Sequence, residues 1–218
     1  MKSQKRVFGL AEAYFDIIYM MSALTIGIYL VSTGHSQVKF LAGITSLLLV
    51  AGDSFHLIPR IAAILTAREH QFVRAMGIGK LITSVTMTVF YILLWEIGFM
   101  LYLPGISPVW HYIVYGLAAL RILLCILPQN RWLDEHPPVT WGVYRNIPFL
   151  LLGASVMMLF ASNSVSVPVL SGMWLAIALS FAFYIPVVLW SNTNPKIGML
   201  MLPKTCAYIC MLIMFMYL

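Results

Sequence analysis

The sequence predicts an all-α membrane protein: one domain, residues 1–218, built from seven transmembrane helices. Composition is the first reason, with 61% hydrophobic and 9% charged residues and a mean hydropathy of +0.92. A soluble domain carries roughly 25% charged residues. The second reason is run length, because the chain breaks into seven apolar stretches, each able to cross a bilayer core that needs about 17–25 helical residues. The third is loop charge, which alternates along the chain and fixes an orientation.

The predicted spans are 8–32, 40–65, 72–102, 109–127, 143–161, 172–190 and 197–217. The basic start, Met1 to Arg6, has the charge of a signal peptide's first region. Glu12 and Asp16 interrupt the run that follows and no small-x-small cleavage site ends it, so the segment is read as the first membrane helix. With the N-terminus inside, the inner segments hold Lys2, Lys5, Arg6, Arg68, Arg74, Arg131 and Lys196, against Lys39 alone outside. This bias places the N-terminus in the cytoplasm and the C-terminus, Tyr217-Leu218, outside. The outer loops 104–108 and 162–171 carry no charge, and Tyr102, Trp110 and Trp190 suit interfacial aromatic belts. The inner loop 128–138 mixes charges of both signs with a proline pair. It reads as a solvated connector or, alternatively, a cytoplasmic lid.

An internal repeat is also legible. Tyr14-Phe15-Asp16-Ile17-Ile18-Tyr19 is answered by Tyr144-Arg145-Asn146-Ile147-Pro148-Phe149. Ser54-Phe55 and Pro59 are answered by Ser180-Phe181 and Pro186, and Lys80 by Lys204. The offsets are 130, 126 and 124, in the same order along the chain. Two three-helix units of like orientation, 8–102 and 143–217, require one linking helix between them, and 109–127 supplies it: a 3+1+3 plan. Repeat interfaces at mid-membrane are where transporters commonly place their sites.

The candidate site starts from the second span. Asp53, His56 and Arg60 are spaced i, i+3, i+7. At about 100° per residue they share a face roughly 60° wide. Each costs several kcal/mol, as an order of magnitude, if it faces lipid unpaired. Placed by depth, Glu12, Asp16, Arg60, Lys80, Arg121, Arg145 and Lys204 join them in the cytoplasmic half of the bilayer, and Glu96 alone falls in the outer half. Three acids against five bases leave a surplus of two positive charges, which a dry interior tolerates only with shifted ionisation or a bound anion. The expected ligand-binding set is Asp16, Asp53, His56, Arg60, Lys80, Arg121, Asn146, Lys204 and Tyr208. A stripe of Gly77, Lys80, Ser84 and Thr88 offers helper polar groups, and Pro59, Pro148, Pro186 and Pro203 either expose backbone carbonyls or kink their helices. The competing structural reading is a closed ion network, with Arg60 and Arg145 reaching to the inner surface.

Some function classes are excluded. No basic block with interleaved aromatics supports nucleic-acid binding. Cys125, Cys206 and Cys210 lie in apolar runs, without further ligands at metal spacing, and read as small core residues. No metal and no cofactor are expected; the expected partners are membrane lipids and an anionic small molecule or lipid headgroup. The leading function is a small-solute transporter in which Asp53 and His56 carry a coupling proton. The alternative is an intramembrane lipid hydrolase, with Asp53 orienting His56 as general base and Arg60 or Lys204 holding an anion; no serine stands in a nucleophile-elbow motif. A more remote alternative is a seven-helix receptor or photoreceptor, since Lys204 on the seventh helix is similar to the Schiff-base lysine of rhodopsins.

The blocks 52–60, Tyr144-Arg145-Asn146-Ile147-Pro148-Phe149 and Pro203-Lys204-Thr205-Cys206-Ala207-Tyr208 resemble those of an uncharacterised bacterial seven-helix membrane family. That resemblance covers most of the chain, implies residence in a bacterial plasma membrane and implies no activity. The 3+1+3 plan is similar to that of the SWEET and PQ-loop sugar transporters, although the pair Pro128-Gln129 here ends the fourth span and not the first helix of a repeat. Gly52-Asp53-x-Phe55 resembles a segment of lysoplasmalogenase-type membrane hydrolases.

Overall fold

The computed structural model describes residues 2–102, 107–134 and 137–218. Pro104 to Ile106 of the uncharged outer loop, and Glu135 and His136 of the inner loop, lie outside the described residues. The described residues form helices and connecting turns, with no strand among them. Seven helices, α1 (Lys2–Thr33), α2 (Gln37–Thr66), α3 (Val73–Tyr102), α4 (Val109–Ile126), α5 (Val139–Ser162), α6 (Met173–Trp190) and α7 (Met201–Met216), account for most of the chain. All seven spans are long and apolar enough to cross a membrane, the last once its leading turn is included.

Local sequence explains several ends. Ser36 caps α2 by accepting from the Lys39 amide at 3.2 Å, satisfying one of the donors a helix start leaves open. Ala67 ends α2 in the left-handed region at φ 55°. Pro59, Pro148 and Pro186 lie inside α2, α5 and α6. Pro203 does not break its helix: α7 begins at Met201, so Pro203 falls in the first turn, where the amide it lacks would have had no helical partner. A 3₁₀ segment, Pro195–Leu200, leads into α7, and Lys204 therefore stands in the first turn of the α-helix rather than two turns along it. In α5 the shift runs the other way. The helix starts at Val139, four residues before the predicted boundary, which puts Arg145 nearly two turns into it.

Consecutive helices pack side by side, α7 returns to α1 and α2, and α3 also packs on α5. The middle helix of each sequence trio, α2 and α6, contacts both its neighbours. Lipid tails are as apolar as leucine, so helix association in a membrane relies on close packing. Gly79 illustrates this on α3: a Cβ there would collide with the Phe55 carbonyl oxygen and sit 2.6 Å from the His56 Cα. The same α2–α3 seam is tied by Thr83, whose hydroxyl donates to the Gly52 carbonyl at 2.9 Å.

The core centres on α3, where Phe90, Tyr91, Leu94, Trp95 and Ile97 are buried. Aromatic rings from α5 and α7 meet it edge-on: Tyr91 with Phe149 at 5.1 Å between centroids, and Phe90 with Tyr208 at 5.7 Å. Tyr102 belongs to this core, edge-on to Phe160 at 5.9 Å, and not to an interfacial belt; Trp110 and Trp190 are exposed as that belt requires. Cys125 is buried as expected, but Cys206 and Cys210 are exposed on the outer surface of α7. Apolar surroundings on both sides of a membrane helix remove the usual reason for a small apolar residue to face inward.

Candidate functional site

The ionisable residues divide between two lobes. In the first, α1 and α2 pair acid with base. Arg60 donates to both carboxylate oxygens of Glu12, Nε to Oε1 at 2.9 Å and Nη2 to Oε2 at 3.3 Å, a two-point contact suited to a guanidinium. Arg60 is thus engaged with Glu12 and not simply extended to the surface. The Tyr19 hydroxyl donates to Asp53 Oδ2 at 2.7 Å. Asp16 is buried on the same face of α1, within electrostatic reach of Glu12, Arg60 and Asp53.

The stripe Asp53, His56, Arg60 consequently does not act as one unit. Asp53 turns to Tyr19, Arg60 to Glu12, and His56 to the backbone of Met76 on α3. His56 and Asp53 make no hydrogen bond to each other, and His56 Nδ1 is buried without a partner. Shared helix face was the correct inference, but three different neighbouring groups divide that face among them.

Lys80 on α3 is exposed beside the Arg60 and Arg145 charges. Its presumed helpers are occupied: Ser84 donates to the Lys80 carbonyl at 2.8 Å and Thr88 to the Ser84 carbonyl at 2.9 Å, each satisfied within its own helix. Gly77 serves packing, since a Cβ there would strike the Trp132 carbonyl oxygen.

The second lobe, α4 to α7, contains no aspartate or glutamate in any helix. It nevertheless holds Arg121, Arg145 and Lys204. Arg121 is 2% exposed. Its Nε and Nη1 have no hydrogen-bond partner among the described residues, and its guanidinium carbon lies 3.2 Å from the centre of the Phe149 ring. A ring face attracts a cation by no more than about 2 kcal/mol, well short of the several kcal/mol that burying an ion costs. Lys204 is 7% exposed; its Nζ stands 4.3 Å from the Tyr184 ring centre and 5.3 Å from that of Tyr208. It interacts electrostatically with Asp53 across the α2–α7 contact.

Around these cations runs a polar ring. Tyr184 donates to Asn146 Oδ1 at 3.1 Å, while Asn146 Nδ2 donates to the Gly142 carbonyl at 2.7 Å. The Ser180 hydroxyl proton goes to the Ile177 carbonyl at 2.8 Å, which leaves its oxygen to accept from Tyr91 at 3.1 Å. The Tyr208 hydroxyl adjoins that of Tyr91. Asn146 and Tyr208 thus do fall beside Arg121 and Lys204, as the sequence suggested.

Two participants carry no sequence signal of their own. Asn130, in the turn Pro128–Asn130, is fully buried. Its amide donates to the carbonyls of Leu124, Cys125 and Leu127 at 2.6, 3.2 and 2.9 Å, and its oxygen accepts from Arg145 Nη1 at 2.8 Å. Trp132 lies under the same guanidinium, 4.1 Å away, and donates to the Cys125 carbonyl at 2.8 Å. The first half of the loop 128–138 is therefore folded onto the end of α4 through Asn130 and Trp132, where it holds Arg145, while Pro128, Gln129, Arg131 and Leu133 stay exposed as a solvated connector would be. The missing signal was relational: a run of four helices holding two buried bases, Arg121 and Lys204, and half-buried Arg145, with no acid.

Between α3 and α4, Glu96 accepts from Tyr115 at 3.0 Å, and Trp95 donates to His111 Nδ1 at 3.0 Å. Among the described residues, no three His, Cys, Asp or Glu side chains are grouped to hold a metal ion. In comparisons with known proteins, the chain matches no family model, no curated protein and no solved structure.

Proposed function

We propose that the protein is a small membrane transporter that binds an anionic group in the acid-free lobe, at Arg121 and Lys204, with Asp53 as the coupling carboxylate. The observation that carries this is Arg121: a guanidinium buried at 2% exposure, with Nε and Nη1 unpartnered, an aromatic ring against it and the uncharged Cys125 thiol in hydrogen-bond contact. A carboxylate or phosphate oxygen supplies what those N–H groups lack, and Lys204 adds a second positive charge.

Asp53 gives the site a means of control. While ionised it engages Lys204 and accepts from Tyr19. A proton on Asp53 removes its claim on Lys204 and leaves that ammonium to the incoming anion. Anion and proton then move together. The 3+1+3 repeat, a cytoplasmic N-terminus and a bacterial plasma membrane location belong to the same proposal; with that orientation the site faces the cytoplasmic half of the bilayer.

The test is flux in reconstituted vesicles. An imposed pH gradient is expected to drive uptake of a labelled organic anion, and Asp53→Asn to abolish the pH dependence while Arg121→Gln abolishes uptake. Gradient-driven uptake that survives Asp53→Asn contradicts the coupling role. Hydrolysis of added lipid, lost in His56→Ala, would instead favour the hydrolase reading, to which the unpartnered His56 Nδ1 lends its only support.

A further inference from the structure

A cleft of about 460 Å³, counting its open mouth, lies between α5 and α6. Its walls are Ile147, Leu150, Phe181, Ile185, Val188 and neighbouring apolar residues, with two polar side chains, Asn146 and Tyr184, bonded to each other. Ile147, Leu150 and Ile185 are exposed on the outside of the bundle, so the cleft opens sideways toward lipid rather than along the bundle axis.

Two wall residues face the cations of the acid-free lobe. Phe149 lines the cleft and carries Arg121 on its ring at 3.2 Å; Tyr184 lines it and carries Lys204 at 4.3 Å. A third cation is near its end. Arg145 Nη2 and Val188 Cγ1 lie 3.7 and 3.9 Å from the point a Gly142 Cβ would occupy, so this guanidinium stands within 8 Å of a wall residue. An apolar channel open to lipid thus runs past one cation at its rim and ends one aromatic ring away from two more. A soluble anion has no use for the apolar part, and a neutral lipid has none for the cations.

We infer that the cleft between α5 and α6 receives the hydrocarbon chain of a single-chain anionic amphiphile, whose headgroup is held by Arg145 at the rim and passed to Arg121 and Lys204 behind Phe149 and Tyr184. This rests on the anion-binding reading above and gives its substrate class. Phe149 and Tyr184 are then the gate: each ring covers a cation while the headgroup site is empty and turns aside to admit a carboxylate or phosphate. The chain stays in the cleft while the headgroup crosses the ring wall.

The test uses full-length protein in dodecyl maltoside, a neutral detergent with the same alkyl chain, titrated calorimetrically with inorganic phosphate, dodecyl phosphate and dodecanoate. Dodecyl phosphate is expected to bind at least about tenfold more tightly than inorganic phosphate, since each buried methylene adds to affinity. Dodecanoate reports whether a carboxylate serves as well as a phosphate. Filling the cleft with Ile185→Trp or, separately, Ile147→Trp removes the tenfold advantage and leaves inorganic phosphate binding intact, which also shows that the variant is folded. Equal affinity for phosphate and dodecyl phosphate, or an advantage retained in both tryptophan variants, overturns the chain site and leaves the anion site standing. Absence of binding by any of the three ligands overturns both.

Discussion

The guanidinium of Arg121 rests 3.2 Å above the ring of Phe149, with no acid in any of the four helices of its own lobe. A buried cation compensated by a ring face and a neutral thiol costs stability, and replacing buried ionic groups by well-packed apolar ones is often neutral or stabilising. Arg121→Met is therefore expected to raise unfolding stability in detergent, by about 1–4 kcal/mol, while anion binding is lost. Denaturant titration checks the first half and calorimetry the second. A destabilised Arg121→Met would mean that the guanidinium has structural partners after all.

Glu12 and Arg60 form a two-point pair with side chains 23% and 35% exposed. Partial exposure keeps such pairs modest, so Glu12→Gln is expected to cost about 1 kcal/mol or less. A double-mutant cycle with Arg60→Gln should give a coupling energy of similar size. Coupling near zero would show that the two charges act independently.

Gly79 lets α2 and α3 approach until backbone meets backbone. Because the neighbour is the Phe55 carbonyl and the His56 Cα rather than a flexible side chain, Gly79→Ala forces the helices apart. A loss of about 1–3 kcal/mol is expected, with a lower unfolding midpoint as the readout. Gly116, which has open space around it, is the control: Gly116→Ala should be neutral or slightly stabilising through helix propensity.

Asn130 satisfies three carbonyls at the end of α4 and one Arg145 nitrogen. Asn130→Ala removes the side-chain donor to the Leu124 carbonyl, while Trp132 still donates to Cys125 and the backbone amide of residue 130 to Leu127; the unpaired acceptor costs about 1–3 kcal/mol. The substitution should also loosen the loop below it, and limited proteolysis at Arg131 is expected to accelerate. Unchanged cleavage would mean that Trp132 alone holds the loop.

The seven spans were legible because apolar run length decides membrane crossing, and no later packing detail can alter it. That buried charges would need partners was legible too, since burial of an ion is expensive wherever it occurs. Partner choice was not. Helical spacing put Asp53, His56 and Arg60 on one face, but it cannot say that Tyr19, Met76 and Glu12 stand opposite them. Asn130 and Trp132 were hidden because their loop has the composition of a solvated one. Cys206 and Cys210 were misplaced because, in a bilayer, an apolar outer surface looks the same in sequence as an apolar core.

The proposed anion site centres on the buried guanidinium of Arg121. Equilibrium binding of inorganic phosphate to detergent-purified protein at pH 7, comparing wild type with Arg121→Met, tests it most directly. Saturable binding by the wild type, weakened at least about tenfold (1.4 kcal/mol) in the variant, is the predicted result. Equal binding by a folded Arg121→Met, or none by the wild type, would contradict it.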